Sequence, residues 1–327
     1  MNVTAHADRA PLTGLAVGDA LGMPFETTRS DSPALARWTG GFIPSAPPNT
    51  HHLGAGQFTG DTQMSMALAE HLLSHGFYEP GRASEKYLAW YRSGDCRGIG
   101  TATRKAMERL ASGTVWPDSG ERGAEGNGSA MRAAMIGAFH HRGTHRLAAA
   151  ADWARVDAAV THRSEEAAEA SAAMAVAVSH LASGGRREEL LDVALSNLRK
   201  TRVYFALEDL AHSVRALAQH EAEGKPRGDL GESLLRDWLT QSRLDVRGPS
   251  ARASESVPTA FAAFLSASTF LEAVEGAVRV GGDTDSVAAM AGAMAGSFFG
   301  LASIPEDLVR RLERREEIRR LELGLLG

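Results

Sequence analysis

The sequence has a single cysteine, Cys96, among 327 residues. This excludes an intrachain disulfide and suits a reducing compartment. No uninterrupted apolar run reaches the roughly 18 residues that a membrane-spanning helix needs. Basic residues are not in excess, because 35 Lys and Arg stand against 40 Asp and Glu, and the net charge of −5 argues against a nucleic-acid-binding surface. We therefore expect a cytoplasmic protein with neither nucleic-acid nor membrane partners.

Several structural signals are also missing. Sustained alternation of apolar and polar residues is absent, so we predict almost no β-sheet. No linker divides the chain, and no phosphate-binding P-loop or dinucleotide fingerprint is present. Residues 1–11 are polar and lack the apolar core of a signal peptide. We interpret them as a flexible tail before one domain, 12–327, and we expect a monomer.

Helical spacing and abundant alanine dominate what is present, so we predict an all-α fold. The predicted helices lie at 62–74, 83–93, 101–111, 164–181, 187–198 and 287–301, with a closing amphipathic helix at 305–325. Glycine, proline and charged residues predict irregular segments at 30–56, 112–127, 224–231 and 247–258. Long loops of this kind are often functional lids.

Five histidines cluster in the sequence without the cysteine partners or the spacing of a zinc site. We predict that they lie at the surface; they are His51, His52, His140, His141 and His145. Cys96 has no evident activating neighbours and is predicted to be structural.

The most informative segment is Gly281-Gly282-Asp283-Thr284-Asp285-Ser286, which precedes an apolar run. Paired glycines allow a sharp turn and a close backbone approach to a ligand. Two carboxylates two residues apart in such a turn can point at one spot, which suits a hard cation such as Mg²⁺ or Mn²⁺. Ordinary helix capping by Asp and Ser is the alternative.

A second acidic helix start lies far away in the sequence, where Thr59, Gly60 and Asp61 precede the helical pattern of 62–74. Two such helix starts could converge on one metal site. Helix N-termini that face one spot also favour anions such as phosphate there. The turn from Gly126 to Ser129 is rich in hydrogen-bond donors and could form an anion nest, with a simple N-cap as the alternative.

Five blocks, in order, resemble the ADP-ribosylglycohydrolase family. This group contains dinitrogenase-reductase-activating glycohydrolase and the ADP-ribosyl-arginine and ADP-ribosyl-serine hydrolases. The blocks are GLAVGDALGMPFE at 14–26, FTGDTQ at 58–63, GNGSAMR at 126–132, TH at 161–162 and GGDTDS at 281–286. Each block is weak alone, whereas five in the same order are highly specific, and they span nearly the whole chain.

The resemblance implies one all-α domain that binds one or two Mg²⁺ or Mn²⁺ ions where helix N-termini converge. The implied metal ligands are Thr59, Asp61, Asp283, Asp285 and Ser286. The chain departs from the family at Gly60, which stands where the first of two adjacent aspartates is usual. The loss of that carboxylate implies a weaker second ion site.

The resemblance also implies roles for residues outside the metal site. Catalytic roles fall to Glu26, as general base or water-orienting group, and to Asp61 and Asp283. The implied contacts with ADP-ribose are Asn127, Gly128, Ser129, Met131, His162, Gly281 and Gly282. For His162 on sequence alone, a capping or solvated position is the more common outcome.

The implied reaction is metal-assisted hydrolysis that releases ADP-ribose from a modified protein side chain, with arginine favoured and serine as the second acceptor. A degenerate member that binds ADP-ribose or a partner without turnover is the main alternative, because of Gly60. A hydrolase of another phosphorylated ribosyl compound is a third.

Overall fold

Helices account for nearly all regular structure in the computed structural model, which describes residues 8–47, 49–222 and 228–327, with 216–222 and 228–232 as backbone only. Sixteen α-helices lie in these ranges: α1 Pro11–Gly22, α2 Pro33–Arg37, α3 Gly60–His75, α4 Pro80–Arg92, α5 Thr101–Ala111, α6 Ala130–Phe139, α7 Arg146–Thr161, α8 Glu165–Ala182, α9 Leu190–Leu195, α10 Arg202–Ala222, α11 Gly228–Gln241, α12 Ala253–Ser266, α13 Phe270–Arg279, α14 Thr284–Phe299, α15 Glu306–Arg311 and α16 Arg315–Leu326.

Four strands of two residues each form two minimal sheets within the described ranges. They are β1 Thr28–Arg29, β2 Glu121–Arg122, β3 His162–Arg163 and β4 Gly281–Gly282. Strand β1 is antiparallel to β4, with Thr28 opposite Gly282, and β2 is parallel to β3, with Glu121 opposite His162. The predicted all-α class and near-absence of sheet are therefore confirmed. No described helix combines the length and apolarity needed to cross a membrane.

Several predicted boundaries were wrong. The closing helix 305–325 is two helices, α15 and α16, separated where Arg314 takes a positive φ of 53°. The predicted helix 187–198 is a 3₁₀ turn followed by the short α9, which ends at Leu195.

The predicted break 247–258 ends early, because α12 begins at Ala253 and continues through Pro258. Burial of the apolar side chains Val257, Phe261 and Phe264 outweighs the one hydrogen bond that a proline cannot donate. The predicted break 224–231 lies outside the described residues up to 227, and α11 begins at Gly228.

The centre of the fold is the pair α1 and α14, which pack backbone against backbone. A Cβ atom at Gly14, Gly18 or Gly22 would lie 2.2, 2.0 and 2.3 Å, respectively, from a carbonyl oxygen of α14. Glycine in a helix interior costs about 1 kcal/mol relative to alanine, but here it allows an approach that any side chain would block. Because the glycines hide the helical signal, α1 was not predicted from the sequence.

Polar anchors attach the start of α3 to this pair. The buried carboxylate of Asp19 on α1 accepts hydrogen bonds from the backbone N–H of Thr59 at 2.9 Å, from that of Thr62 at 3.0 Å, and from the Thr62 hydroxyl at 2.6 Å. On α14, the hydroxyl of Thr284 donates to the carbonyl of Gly22 at 2.8 Å. The N-termini of α3 and α14 are thus held beside the same end of α1.

The segment that carries Glu26 is attached to the start of α14 through β1 and β4. Gly281 and Gly282 have φ values of 71° and 74°, a conformation that side chains disfavour. A Cβ atom at Gly281 would lie 2.5 Å from the carbonyl oxygen of Thr28. The backbone N–H of Thr27 donates to the carbonyl of Gly282 at 2.7 Å. The Gly pair therefore brings Glu26 over the start of α14.

Candidate active site

A cavity of about 270 Å³ opens where α3, α5 and α14 begin. Its wall includes nine of the residues singled out in the sequence: Glu26, Asp61, Asn127, Gly128, Met131, His162, Asp283, Asp285 and Ser286. The first turn of α5, from Thr101 to Thr103, also lines it, so a third helix N-terminus joins the two predicted from the sequence. Residues from both ends and the middle of the chain therefore meet at one concave surface.

Three buried carboxylates lie at this surface. Asp61, Asp283 and Asp285 expose 6%, 9% and 4% of their surface. Among the described residues, no group donates a hydrogen bond to Oδ2 of Asp61 or to Oδ1 of Asp285, although both atoms are buried. Burial raises the pKa of all three carboxyls, and mutual repulsion adds to it for Asp61 and Asp285; the pKa of Asp283 rises to about 6.

Buried carboxylate oxygens without donors are costly unless the carboxyl takes up a proton or a cation satisfies them. The donor set is rich in oxygen, as Mg²⁺ and Mn²⁺ prefer. The Thr59 hydroxyl lies 3.4 Å from Oδ1 of Asp61 and is buried with it. Ser286 lines the same cavity. The residues present therefore fit a divalent cation.

His51 was wrongly predicted to be a surface residue. Its side chain exposes only 8% of its surface and contacts the carboxylate of Glu26 through Nε2. Glu26, His51 and Asp285 each offer one ligand atom, and these atoms lie within 4.8 Å of one another. Contact with Glu26 raises the pKa of the His51 imidazole. No spacing in the sequence connects His51, in its proline-rich loop, with Glu26 or Asp285.

Two other histidines of that sequence cluster also lie inside the protein, contrary to the prediction. His141 is 3% exposed and contacts the carbonyl of Ala138 through Nδ1. His140 is half-buried, with its ring edge-on to Trp153 at 4.2 Å between centroids. Both follow the C-terminal end of α6, where the chain turns beneath α7. His52 and His145 are exposed, as predicted.

Gly60 has no room for a carboxylate side chain. Its backbone N–H donates to the carbonyl of Arg97 at 2.7 Å, and an added Cβ atom would lie 2.7 Å from that same oxygen. Arg97 is itself fixed, because its guanidinium pairs with Glu313 at 2.6 Å and with Asp95 at 2.9 Å. The neighbouring loop therefore leaves no space for an acidic side chain at position 60.

The GNGS turn supports the acidic residues as well as lining the cavity. The backbone N–H of Asn127 donates to the carbonyl of Ala251 at 2.9 Å and is not free to bind an anion. Its side-chain amide donates to Oδ2 of Asp283 at 2.6 Å and to the hydroxyl of Ser256 at 3.0 Å. Ser129 is fully buried, and its hydroxyl accepts from that of Ser171 at 2.9 Å.

His162 lines the cavity but is 95% buried, with Nδ1 lying 2.9 Å from the hydroxyl of Thr161. Burial and the nearby Arg132 lower the pKa of the imidazole to about 3. Gly282 lines a second cavity of about 270 Å³ beside Glu26 and Asp283, and Gly281 packs against the backbone of β1.

The profile of the ADP-ribosylglycohydrolase family matches residues 5–327 of this chain. The chain belongs to the ADP-ribosylglycohydrolase family. The resemblance inferred from the five blocks is therefore confirmed over nearly the whole sequence.

Family relatives come from distant organisms. The chain is 31% identical to an uncharacterised protein of Archaeoglobus fulgidus, over 96% of this chain and 94% of that one. It is 29% identical to an ADP-ribosylarginine hydrolase of Pseudomonas putida, covering 96% and 76%, and 29% identical to the ADP-ribosylhydrolase ARH3 of Bos taurus, covering 94% and 89%. Among solved structures, it superimposes on an ADP-ribosylglycohydrolase-related protein complex with a TM-score of 0.75, at 29% identity and 98% coverage of both chains.

Three buried charged residues that support the walls of this cavity were not assigned roles from the sequence. Asp19 and Arg132 stand inside two of the five blocks, and Asp157 lies in α7; all three are fully buried. A charged residue within an apolar, alanine-rich helix is a usable signal, because burial of a charge requires a partner. The partners themselves lie on other helices and cannot be read from the sequence.

Proposed function

We propose that this chain hydrolyses the glycosidic bond between ADP-ribose and a modified protein side chain, in a reaction that depends on Mg²⁺ or Mn²⁺. The observation that carries the proposal is the pair of buried, undonated oxygens on Asp61 and Asp285, in the wall of a cavity shared with Glu26 and His162. Such oxygens, in a family of ADP-ribosylglycohydrolases, are best explained by a cation that meets the substrate.

The ion would be held by Asp61, Asp283 and Asp285, with Thr59 and Ser286 as further oxygen donors. When bound, a divalent cation supplies Lewis-acid stabilisation to oxygens of the distal ribose. The carboxylates contribute in their own right, because negative charge in a buried site stabilises the positive charge that develops at the anomeric carbon as the glycosidic bond breaks.

Glu26 is the proposed general base. Its carboxylate accepts a proton from the water that attacks the anomeric carbon, and the nitrogen or oxygen of the departing side chain takes up a proton, from Glu26 or from solvent, as the glycosidic bond breaks. Contact with His51 restricts the orientation of Glu26. Strand β1, which follows Glu26, pairs with β4, which precedes α14. This pairing fixes the position of the base relative to the acidic residues at the start of α14. The acceptor is proposed to be arginine first and serine second, because one relative is named as an ADP-ribosylarginine hydrolase.

Gly60 favours a second candidate function, in which the chain binds ADP-ribose without turnover. The Arg97 carbonyl occupies the space that a carboxylate-bearing side chain would need. A site with fewer carboxylates holds a second cation less tightly. In that case binding of ADP-ribose persists whereas release from a peptide does not occur.

The deciding experiment measures release of ADP-ribose from peptides modified on arginine or on serine, with Mg²⁺, with Mn²⁺ and with EDTA. We expect metal-dependent release that is faster from arginine and is lost in Asp285→Asn. Asp307→Asn, at an exposed ion pair on α15, is the matched control and should retain full activity. Binding of ADP-ribose with no release from either peptide would favour the second candidate, and activity unchanged by EDTA would contradict the metal requirement.

A further inference from the structure

A chain of hydrogen bonds runs from the protein interior to His162 at the cavity. Arg132 and Asp157 form an ion pair at 2.7 Å, and both side chains are completely buried. Arg132 also donates through Nη2 to the hydroxyl of Thr161 at 3.1 Å, and that hydroxyl lies 2.9 Å from Nδ1 of His162. The series therefore links a buried ion pair to a residue of the active site.

Chemistry fixes the direction of the first hydrogen bond in this series and favours one direction for the second. A guanidinium group has only donors, so the Thr161 oxygen must accept from Arg132. A hydroxyl has one hydrogen of its own, and Nδ1 of His162 is the acceptor within reach of it in the described part of the chain. If Nδ1 carried a proton, the Thr161 oxygen would accept twice and its own buried hydrogen would be left without an acceptor, which costs free energy. The arrangement therefore favours an unprotonated Nδ1 that accepts from Thr161. In a neutral imidazole the proton consequently sits on Nε2.

The surroundings of His162 keep it neutral. The ring is 95% buried, and burial together with the positive charge of Arg132 lowers the imidazole pKa to about 3. A cationic form would place a second proton on Nδ1, and the hydrogen of the Thr161 hydroxyl would lose its acceptor. Both this loss and the charge of Arg132 oppose that form.

The other side of the ring faces the GNGS turn. A Cβ atom at Gly126 would lie 3.2 Å from Nε2 of His162, and one at Gly128 would lie 2.8 Å from Cε1. Glycine at these positions leaves the ring edge uncovered, and His162 forms part of the cavity wall. Among the described residues, no protein group accepts a hydrogen bond from Nε2. The N–H at this edge of the ring is therefore available to an acceptor on a molecule bound in the cavity.

We propose that Arg132 and Thr161 are positioning residues that lock His162 in its Nε2–H tautomer, so that it serves as a neutral hydrogen-bond donor to an oxygen of the bound ADP-ribose. His162 then neither removes a proton during the reaction nor ligates the cation. This inference rests on the proposed function for the identity of the ligand, whereas the tautomer follows from the protein alone.

Arg132 is a poor position for the test, because loss of its charge would leave the buried Asp157 carboxylate without its cationic partner and would strongly destabilise the fold. Thr161→Val is nearly isosteric and removes only the hydroxyl, and Thr161→Ser restores it. Thr259→Val is the matched control. That buried hydroxyl also accepts from a side-chain N–H, of Trp238 at 3.2 Å, and donates to the carbonyl of Glu255 at 2.7 Å.

The tautomer is read from long-range ¹H–¹⁵N correlation spectra of protein labelled on histidine, with the His162 signals assigned by their loss in His162→Asn. In the ligand-free wild type, Thr161→Ser and Thr259→Val, we expect one neutral form with the proton on Nε2. In Thr161→Val we expect a mixture of tautomers. Calorimetry should then give about tenfold weaker ADP-ribose binding for Thr161→Val alone, the effect of a donor that is no longer held in place.

Two results would overturn the proposal: a proton on Nδ1 in the wild type, or an unchanged tautomer and unchanged affinity in Thr161→Val. A loss of affinity in Thr161→Ser equal to that in Thr161→Val would also overturn it, since the hydroxyl would then be irrelevant. Failure of the wild type to bind ADP-ribose at all would instead contradict the proposed function, and the spectra would still decide the tautomer.

Discussion

The protein contains two buried clusters with carboxylates, and they differ in whether the carboxylate oxygens have hydrogen-bond donors. In the Asp157 cluster, which comprises Asp157, Arg132, Tyr78 and Tyr87, every oxygen of the carboxylate has a donor. Oδ1 accepts from both tyrosine hydroxyls, at 3.0 and 2.7 Å, and Oδ2 accepts from Arg132 at 2.7 Å. In the Asp285 cluster, which comprises Asp61, Asp283 and Asp285, two buried oxygens have no donor from the described residues.

The difference separates structural from functional burial of charge. A buried ion pair with complete hydrogen bonding holds elements together, and here it joins α4, α6 and α7. Three carboxylates buried together without a cationic partner repel one another and weaken the fold. Their persistence at a cavity is understandable if a ligand supplies the missing charge.

The largest effect should come from breaking the complete cluster. Asp157→Ala leaves the Arg132 guanidinium buried without its partner and both tyrosine hydroxyls without an acceptor. We expect a loss of about 3–5 kcal/mol in the free energy of unfolding, measured by urea denaturation. Asp285→Ala, compared in EDTA, should cost little or should stabilise, because it removes repulsion. Equal losses of unfolding free energy in the two variants would show that the two clusters contribute to stability in the same way.

Addition of Mg²⁺ or Mn²⁺ should complete the Asp285 cluster. A cation that binds only the folded protein stabilises it by about 2.7 kcal/mol at a concentration 100 times its Kd. We expect a rise in melting temperature for the wild type and none for Asp285→Asn, measured by scanning calorimetry with and without the ion. Thr259→Val should respond like the wild type. A rise that persists in Asp285→Asn would place the ion elsewhere.

His51 tests whether the contact with Glu26 matters to the reaction. His51→Asn is too short to reach Glu26, and loss of one hydrogen bond to a charged group should lower kcat about tenfold. KM and melting temperature should change little, because the loop keeps its backbone contacts. His52→Asn is the matched control next in sequence; its side chain is exposed, and asparagine tolerates the positive φ of 56° there. Equal activity of the two variants would remove His51 from the site.

A structural feature could be predicted from the sequence only where neighbouring residues specify it. The acidic helix starts at Asp61 and Asp283 could be recognised, because glycine, threonine and aspartate before an apolar run specify a turn into a helix. Helix α1 was missed, because its glycines serve a contact with α14 that only the folded chain creates. His51 and Asp157 acquire their partners, Glu26 and Arg132, from other segments. No spacing rule connects positions that tertiary packing brings together.

The smallest effects concern pH, and they should have opposite signs in the two regions. In the metal-free protein, burial raises the pKa of Asp283 to about 6, from an ordinary value of 3.8. The folded state then binds this proton more readily than the unfolded state. Its contribution to stability is present below pH 3.8 and is lost as the pH rises through 6.

His71, whose ring lies edge-on to Tyr78 of the Asp157 cluster at 5.6 Å, should behave in the reverse way. Burial and, to a lesser extent, the nearby His75 and Lys86 lower the pKa of the His71 imidazole from 6.5 to about 4. The negative charges of Asp157 and Glu79 oppose this shift but do not cancel it. The unfolded state binds this proton more readily, so the contribution to stability is present above pH 6.5 and is lost as the pH falls towards 4.

Urea denaturation in EDTA at pH 4.5 and 7.5 separates the two contributions. Asp283→Asn should gain stability relative to the wild type mainly at pH 7.5, on the order of 1 kcal/mol. His71→Gln keeps an acceptor for the backbone N–H of Glu79, which donates to Nε2 of His71 at 3.0 Å, and should gain mainly at pH 4.5. If both variants gained stability mainly at the same pH, the pKa values of Asp283 and His71 would not be shifted in opposite directions. The contrast between a completed cluster and one that awaits a cation would then rest on metal binding alone.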